Sequence, residues 1–324
     1  MKAIVYRSYG SPDVLRYEEI EKPAPGDNEV LIAVRAAAVN PYDSHFMRAP
    51  SLVRIMTGLR KPKNPRLGVD FAGRVEAVGS SVTRFKPGDE VFGVARGAFG
   101  EYVCAQDSGL ALKPPTVTFA QAASVPVAGI TALQGLRDRG KVQPGQKVLI
   151  NGAAGGIGTF AVQIAKAFGA HVVGVCSTRN VDLVRSIGAD EVIDYTQEDF
   201  TKGGSVYDVL FDCISNHSLS ACRRVLNTDG KYVGVGGVGQ PMTRILSRIV
   251  SAAVMSPFVN KNLFPFGAKV NKDDLAVIAG LMESGKVTPV IEKEYPFTQV
   301  ADAIRHLETG HTRGKVVITV SDTS

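Results

Sequence analysis

The 324-residue sequence has no apolar run long enough to cross a bilayer. Its best candidate, Ile245 to Val259, is broken by Arg248 and Pro257 and falls short of the roughly 20 residues a spanning helix needs. Paired metal or disulfide spacing is missing too. The four cysteines, Cys104, Cys176, Cys213 and Cys222, stand far apart, as buried thiols of a reducing compartment do. Acidic residues are absent from two segments. The interval from Asp43 to Asp70 encloses Arg48, Arg54, Arg60, Lys61, Lys63 and Arg66; that from Asp229 to Asp273 encloses Lys231, Arg244, Arg248, Lys261, Lys269 and Lys272. A net charge of +6 and a pI near 9.1 raise the question of nucleic acid. Neither segment carries a helix-turn-helix, zinc-finger or RNP pattern, so no nucleic-acid partner is expected. A solvated basic surface is the plain reading, and attraction of an anionic cofactor or peripheral contact with a membrane surface is the functional alternative. The opening Met1-Lys2-Ala3-Ile4-Val5-Tyr6 alternates like a strand and lacks the zones of a secretory signal, which makes the cytoplasm the expected compartment.

What is present suits a folded protein of about two domains: 44% hydrophobic residues, 21% charged, and 34 glycines. Up to about Gln121 the chain reads as short β segments broken by Gly and Pro, such as Val30-Leu31-Ile32-Ala33-Val34 and Ala72 to Gly79. From about Ala123, strands alternate with helices, the mark of βαβ units around a parallel sheet. The clearest unit opens with the buried strand Lys147-Val148-Leu149-Ile150 and continues through Asn151-Gly152-Ala153-Ala154-Gly155-Gly156-Ile157-Gly158. A helix follows, with Ile157, Phe160, Ala161, Ile164, Ala165 and Phe168 at three- and four-residue steps and Gly169 at its C′ position. Further strands are predicted at His171–Cys176, Glu191–Ile193, Tyr207–Phe211, Lys231–Val235, Val290–Glu292 and Lys315–Ile318, a helix capped by Asn180, and another near Asp274–Ser284.

The glycine turn fits a dinucleotide fingerprint, with Ala153, Gly155 and Gly158 at its three key positions and Gly152 and Gly156 adding freedom. Small residues are needed there because the chain must turn tightly and let a pyrophosphate approach the N–H groups of a helix N-terminus. About 20 residues on, such sites commonly carry Asp or Glu for the ribose 2′-hydroxyl. Here the run is Cys176-Ser177-Thr178-Arg179-Asn180. Ser177 and Arg179 can donate to a 2′-phosphate, so NADPH is expected over NADH; the plain alternative for Arg179 is a solvated residue near a helix start. Short-chain dehydrogenases share such a turn but use a Tyr-x-x-x-Lys pair, and none of the nine tyrosines here is followed four residues later by lysine.

Motifs spread over the whole length carry a likeness to a known family: Asn40-Pro41-Tyr42-Asp43, Gly68-Val69-Asp70-Phe71-Ala72-Gly73, Lys86-Pro87-Gly88-Asp89-Glu90-Val91, the glycine turn, and Gly314-Lys315-Val316-Val317-Ile318. With them the chain resembles the medium-chain dehydrogenase/reductase superfamily, and within it the zinc-free quinone oxidoreductases, including the mitochondrial reticulon-interacting and chloroplast-envelope homologues. The resemblance implies an α/β fold: a Rossmann doubly wound parallel sheet over residues 124–267, plus a partly barrel-like, GroES-like catalytic β domain formed by 1–123 and 268–324. The active site is expected in the cleft between them.

Zinc alcohol dehydrogenases of the superfamily carry a cysteine at the position of Asn40 and Gly-His-Glu at Gly68-Val69-Asp70. Valine cannot ligate a metal. Val125-Pro126-Val127-Ala128-Gly129 also lacks the third ligand, and no four-cysteine lobe follows Glu101, so no metal site is expected. His45 is read as a hydrogen-bonded structural residue. Without a Lewis acid the plausible chemistry is hydride delivery to an acceptor that is already electrophilic, a quinone or an α,β-unsaturated carbonyl.

The resemblance further implies that Asn40 and Thr131 contact the nicotinamide end, that Ala154, Gly156, Ile157, Ser177, Arg179 and Tyr195 hold the phosphates and adenosine ribose, and that Cys213 and the Val235-Gly236 turn close the cofactor cleft. Catalysis falls to Asn40 and Tyr42; Tyr42 is read either as a donor to the developing enolate oxygen or as packing on the cleft wall. The basic apolar segment 244–272, with Leu263, Phe264, Pro265 and Phe266, is open to three uses: cleft lining, dimer interface or membrane contact. Family likeness implies a homodimer. A cofactor-binding structural or regulatory protein with little turnover is the alternative function.

Overall fold

The structure is a computed structural model of the chain and describes residues 1–50, 54, 55, 57–235 and 267–320. In chain order its strands are β1 (Lys2–Tyr6), β2 (Leu15–Glu19), β3 (Glu29–Val39), β4 (Asp70–Val78), β5 (Glu90–Val94), β6 (Tyr102–Gln106), β7 (Leu110–Leu112), β8 (Lys147–Asn151), β9 (His171–Cys176), β10 (Glu191–Asp194), β11 (Tyr207–Asp212), β12 (Leu226–Gly234), β13 (Ile291–Pro296) and β14 (Lys315–Thr319). The helices used below are α1 (Pro41–Arg48), α2 (Phe119–Ala123), α3 (Pro126–Gln134), α4 (Gly158–Ala167), α5 (Val181–Ser186), α6 (Leu219–Arg224), α7 (Lys272–Glu283) and α8 (Val300–Glu308). The chain divides into two units: Met1–Val127 with Val270–Gly285 and Pro289–Ser324, and Ala128–Lys269 with Lys286–Thr288.

The first unit is built on β3, whose eleven residues pair antiparallel with β4, β6 and β14 in a seven-stranded sheet ordered β13-β14-β3-β4-β5-β7. Its core gathers Ile32, Met47, Phe71, Phe99 and Ile304, all at most 1% exposed. Truncating one such aromatic, Phe71→Ala, removes about 3–5 kcal/mol of packing. The C-terminal strands β13 and β14 belong to this same sheet. Register then decides what meets: Val316 lies opposite Val39, so Lys315 arrives beside Asn40 at the end of β3.

The second unit holds a five-stranded parallel sheet ordered β10-β9-β8-β11-β12, which in order of appearance is 3-2-1-4-5. Its strands read as continuous apolar runs because both faces are covered: Val148, Leu149, Ile150, Val209, Leu210 and Phe211 are all fully buried. This is the doubly wound sheet that the sequence predicts. Helix α4 buries every residue from Gly158 to Ala165 and ends at Phe168, followed by Gly169 at φ +78°, a left-handed position that a side chain would strain.

Two local expectations shift. Helix α5 starts after a 3₁₀ turn, Thr178–Asn180, so the Asn180 side chain does not cap it; its Nδ2 donates back to Ser177 Oγ at 3.2 Å. The strand expected at Lys231–Val235 begins earlier, at Leu226. Gly236 and residues 244–266 of the basic apolar segment lie outside the described residues. Among the described residues no helix is long and apolar enough to cross a membrane.

Candidate cofactor and acceptor site

In the second unit the candidate cofactor residues other than Thr131 follow the carboxyl ends of parallel strands. The glycine bend leaves β8, Ser177 and Arg179 leave β9, Tyr195 leaves β10, Cys213 leaves β11 and Val235 leaves β12. In a doubly wound sheet this edge binds the ligand, at the point where strand order reverses, here between β8 and β11. The topology therefore brings together residues spread over 83 positions, from Ala153 to Val235. Thr131, buried on α3, belongs to the same unit.

The bend shows why its residues are small. Gly152 takes φ +86°, which relieves the fingerprint's first key position and lets Ala153 stand there. A Cβ on Gly158 would lie 2.0 Å from the Gly152 carbonyl oxygen and 2.8 Å from Ala153 Cα, so the helix start is pressed against its own turn. Gly155 differs. Its N–H donates to Gly152 O at 3.0 Å, and a Cβ there would find its nearest neighbour at 3.4 Å, so the space above it is open. Helix α4 begins at Gly158 with no side-chain cap and no acidic residue in its first turn. Uncapped N–H groups, positive dipole and an open glycine fit a pyrophosphate.

At the next strand end Arg179 is exposed and Ser177 half-buried. The Oδ1 of Asn180, next to Arg179, is buried without a hydrogen-bond partner among the described residues. One carboxylate that sequence reading missed also reaches this edge. Asp194 accepts from Thr178 Oγ1 at 2.6 Å and from Thr196 N and Oγ1 at 2.9 and 2.8 Å; these bonds, Thr178's first, hold its carboxyl below the usual range. Both oxygens are thus engaged, Oδ2 by the turn after β9 and Oδ1 by the turn after β10.

Beneath the bend, buried Asp212 ties the switch point together. It accepts from Asn151 Nδ2 (2.9 Å), Ile214 N (3.1 Å), Ser215 N (2.7 Å) and Tyr232 Oη (2.7 Å). Nothing local marks this network in the sequence, because its members come from three strands. Burial, with Asp212 adjacent, pushes the Cys213 thiol up, away from the thiolate form.

The first unit carries the acceptor-side candidates. Asn40 is 3% exposed and precedes α1, where Pro41 occupies the first helical position. Its backbone N–H donates to Asp43 Oδ2 at 2.8 Å. Its side-chain Nδ2 donates to Asp70 Oδ2 (3.0 Å) and Ala38 O (3.3 Å), while Oδ1 accepts from Lys315 Nζ at 2.6 Å. Lys315 Nζ also lies 3.7 Å from Asp70 Oδ2, and Asp70 Oδ1 accepts from Val127 N at 3.1 Å. The group is fully desolvated: Asp43 and Asp70 are 0% exposed and Lys315 4%. Burial raises Asp70 against the pull of Lys315, lowers Lys315, and pushes Asp43 up to about 7.

This arrangement does not fit a zinc ion. Val69 carries no donor, and the Asn40 amide is already shared between an ammonium and a carboxylate, leaving a second cation to face Lys315. Among the described residues no three His, Cys, Asp or Glu side chains gather as a metal site. His45 shows its ring edge to Phe46, centroids 6.2 Å apart. Tyr42 is 40% exposed, stacks on Phe46 at 4.1 Å, and lines a cavity of about 300 Å³.

Comparison with known proteins agrees with this geometry. The family described as alcohol dehydrogenase GroES-like domain matches residues 26–115, and that described as zinc-binding dehydrogenase matches residues 187–318. The chain is 38% identical to the chloroplastic NADPH-dependent alkenal/one oxidoreductase of Arabidopsis thaliana, over 98% of this chain and 79% of that protein. The chain belongs to the medium-chain dehydrogenase/reductase superfamily. Within this superfamily it is also 35% identical to the mitochondrial NAD(P)H oxidoreductase RTN4IP1 of Bos taurus, over 99% of this chain and 89% of that one. The solved quinone oxidoreductase of Coxiella burnetii superposes with a TM-score of 0.85 at 31% identity, covering 99% of each chain.

Proposed function

We propose that this chain is an NADPH-dependent oxidoreductase that reduces quinones or α,β-unsaturated carbonyls without a metal ion. The observation that carries the reading is the open, uncapped glycine bend at the switch point of a 3-2-1-4-5 sheet, with Ser177 and Arg179, and no free carboxylate, at the end of the second strand. The relatives' names, an alkenal/one oxidoreductase and a quinone oxidoreductase, support the substrate class. Ala153 to Gly158 cradle the pyrophosphate through backbone N–H groups, and Ser177, Arg179 and Tyr195 hold the adenosine 2′-phosphate and ribose. Cys213 and Val235 wall the cofactor, and Thr131 contacts its nicotinamide end. A bound NADPH supplies one hydride, which with one proton from solvent saturates the acceptor and leaves NADP⁺.

The protein's part is positioning and charge stabilisation. The Tyr42 hydroxyl donates to the oxygen on which charge develops. Asn40 is held by its four hydrogen bonds and sets the start of α1, two residues before Tyr42. Steady-state loss of NADPH absorbance over a panel of quinones, enals and enones tests the reading. Turnover of these with none of simple alcohols is the expected result; NADPH binding without oxidation by any acceptor refutes it in favour of a structural or regulatory role. We place the enzyme in the cytoplasm as a homodimer with an optional membrane-surface contact. Four free thiols among the described residues support the compartment, and sedimentation and fractionation test both assignments.

A further inference from the structure

The cavity beside Tyr42 has a property that hydride transfer to a neutral quinone or enone does not use. It is lined by Lys63, Arg66 and Arg96 together with Tyr42, Asp43 and Val69. Its single carboxylate, Asp43, is fully buried, and each of its oxygens accepts a backbone N–H, from Asn40 at 2.8 Å and from Gly68 at 3.1 Å. Among the described residues none of the three cations pairs with a carboxylate. Elsewhere arginines do pair: Arg7 with Glu18, Arg48 with Glu308, and Arg74 with Glu90. Lys63 and Arg66 come from the acid-free segment between Asp43 and Asp70, so no acidic neighbour in sequence offsets them.

The two arginines differ in exposure, Arg66 half-buried and Arg96 exposed. Arg66 is half-buried and its backbone bridges to Val5; its Nε would lie 3.1 Å from a Cβ at Gly97, where φ is +97° and glycine keeps the space clear. The Arg96 guanidinium lies over the Phe46 ring, 5.9 Å from its centroid. A half-buried guanidinium without a counter-charge loses solvation and gains nothing until an anion arrives. Aromatic walls and the planar guanidinium fork suit a planar carboxylate on an apolar carbon skeleton. A volume of about 300 Å³ is at the low end for small-molecule sites and suits a compact acid rather than a nucleotide-bearing ester.

We propose that the cavity receives the anionic end of the acceptor, so that the preferred substrate is a conjugated carbonyl compound bearing a carboxylate, held by Arg66 with Arg96 and Lys63. The proposal rests on the reductase reading above and names the substrate class of that site. The test uses the full-length protein with NADPH and compares trans-6-oxohept-4-enoate with its methyl ester, which carry the same enone and differ in a charge separated from it by methylenes. The acid is expected to show a kcat/KM about ten-fold or more above that of the ester at low ionic strength, with the ratio shrinking as salt is added. Arg66→Ala should bring the ratio toward one and Arg66→Lys should restore part of it. Lys63→Ala and Arg96→Ala, both at exposed positions, carry the same test should Arg66→Ala fold poorly. A second readout needs no turnover: calorimetric titration of the saturated 6-oxoheptanoate, with its ester as control, into the protein without cofactor. Equal turnover of acid and ester by the wild type overturns the proposal and leaves the reductase reading standing. Arg66-dependent binding of the saturated acid, with neither enone nor any quinone or enal of the panel reduced, supports the anion site and overturns the reductase reading.

Discussion

Replacing Lys315 by methionine tests whether the buried group around Asn40 is an electrostatic unit or only a packing arrangement. The ammonium sits 2.6 Å from Asn40 Oδ1 and 3.7 Å from Asp70 Oδ2, and neither Lys315 nor Asp70 is more than 4% exposed. At an effective dielectric of about 20, opposite charges 3.7 Å apart attract by about 4–5 kcal/mol, and removing one partner of a buried pair typically costs about 3–5 kcal/mol. Against a total stability of about 5–15 kcal/mol, Lys315→Met should leave the first unit marginal. Methionine keeps the length and apolar stem of lysine, so the loss reports charge and hydrogen bonding rather than a void.

The assay is urea unfolding followed by circular dichroism and by tyrosine emission, since the chain has nine tyrosines and no tryptophan. Hydrogen exchange along the β14–β3 pairing assigns the loss to this unit. Adding Asp70→Asn removes the stranded anion and should recover about 2 kcal/mol or more of the deficit. pH supplies the sign. Lys315 is the main influence lowering Asp70 against burial, so in Lys315→Met the folded-state pKa of Asp70 rises further above its unfolded value. Stability linked to that proton is full below the unfolded pKa and is lost as pH rises through the folded one, so the deficit should grow with pH and shrink on acidification. A loss below about 1 kcal/mol, or a double variant no better than the sum of its singles, would refute the electrostatic account.

Three further outcomes follow from named atoms. Gly155→Ala should fold normally, its Cβ meeting nothing nearer than 3.4 Å, yet weaken NADPH binding at least about ten-fold by fluorescence titration; Gly158→Ala, with a carbonyl oxygen at 2.0 Å, should also destabilise the second unit by about 1–3 kcal/mol. Arg179→Ala should raise the Kd for NADPH about ten-fold or more and leave that for NADH nearly unchanged; an equal effect on both cofactors would remove the 2′-phosphate assignment. The folded-state pKa of Asp43, pushed by burial to about 7 from 3.8, makes wild-type stability fall by up to about 4 kcal/mol between pH 4 and 7, so the stability gap between wild type and Asp43→Asn should narrow over that interval in pH-dependent urea melts.

How much of this was legible in the sequence depends on how local each signal is. The strand β8, its glycine bend and helix α4 could be read from one stretch, because periodicity, glycines and the C′ glycine at 169 all lie within it. The pairing of β14 with β3 could be inferred only by resemblance, since Val316 and Val39 carry no mutual mark. The Lys315–Asn40–Asp70 group was invisible for the same reason: Gly314-Lys315-Val316 reads as the start of a strand, and nothing says that its lysine is buried. Asn180 does occupy the N-cap position of α5, but its side chain makes no capping bond, because the 3₁₀ turn before the helix folds its amide back onto Ser177. The basic segment after Asp43 is largely the solvated surface that its composition suggests, with Arg48, Arg60, Lys61 and Lys63 exposed, but composition could not mark which of its cations also line a cavity.

The buried lysine also bears on which chemistry the first unit can support. A carboxylate at Asp70, fully enclosed, requires a compensating cation. A divalent metal would meet that need and offer an open coordination site for polarising an alcohol oxygen. An ammonium meets it differently: its charge is single, tethered and unable to accept a lone pair, and it is already directed at Asn40 Oδ1 and Asp70. Charge compensation is therefore supplied without Lewis acidity. The activation that a metal would provide must then reside in the acceptor itself, as it does when the carbonyl is conjugated, and the protein need only orient that acceptor and receive the charge on its oxygen.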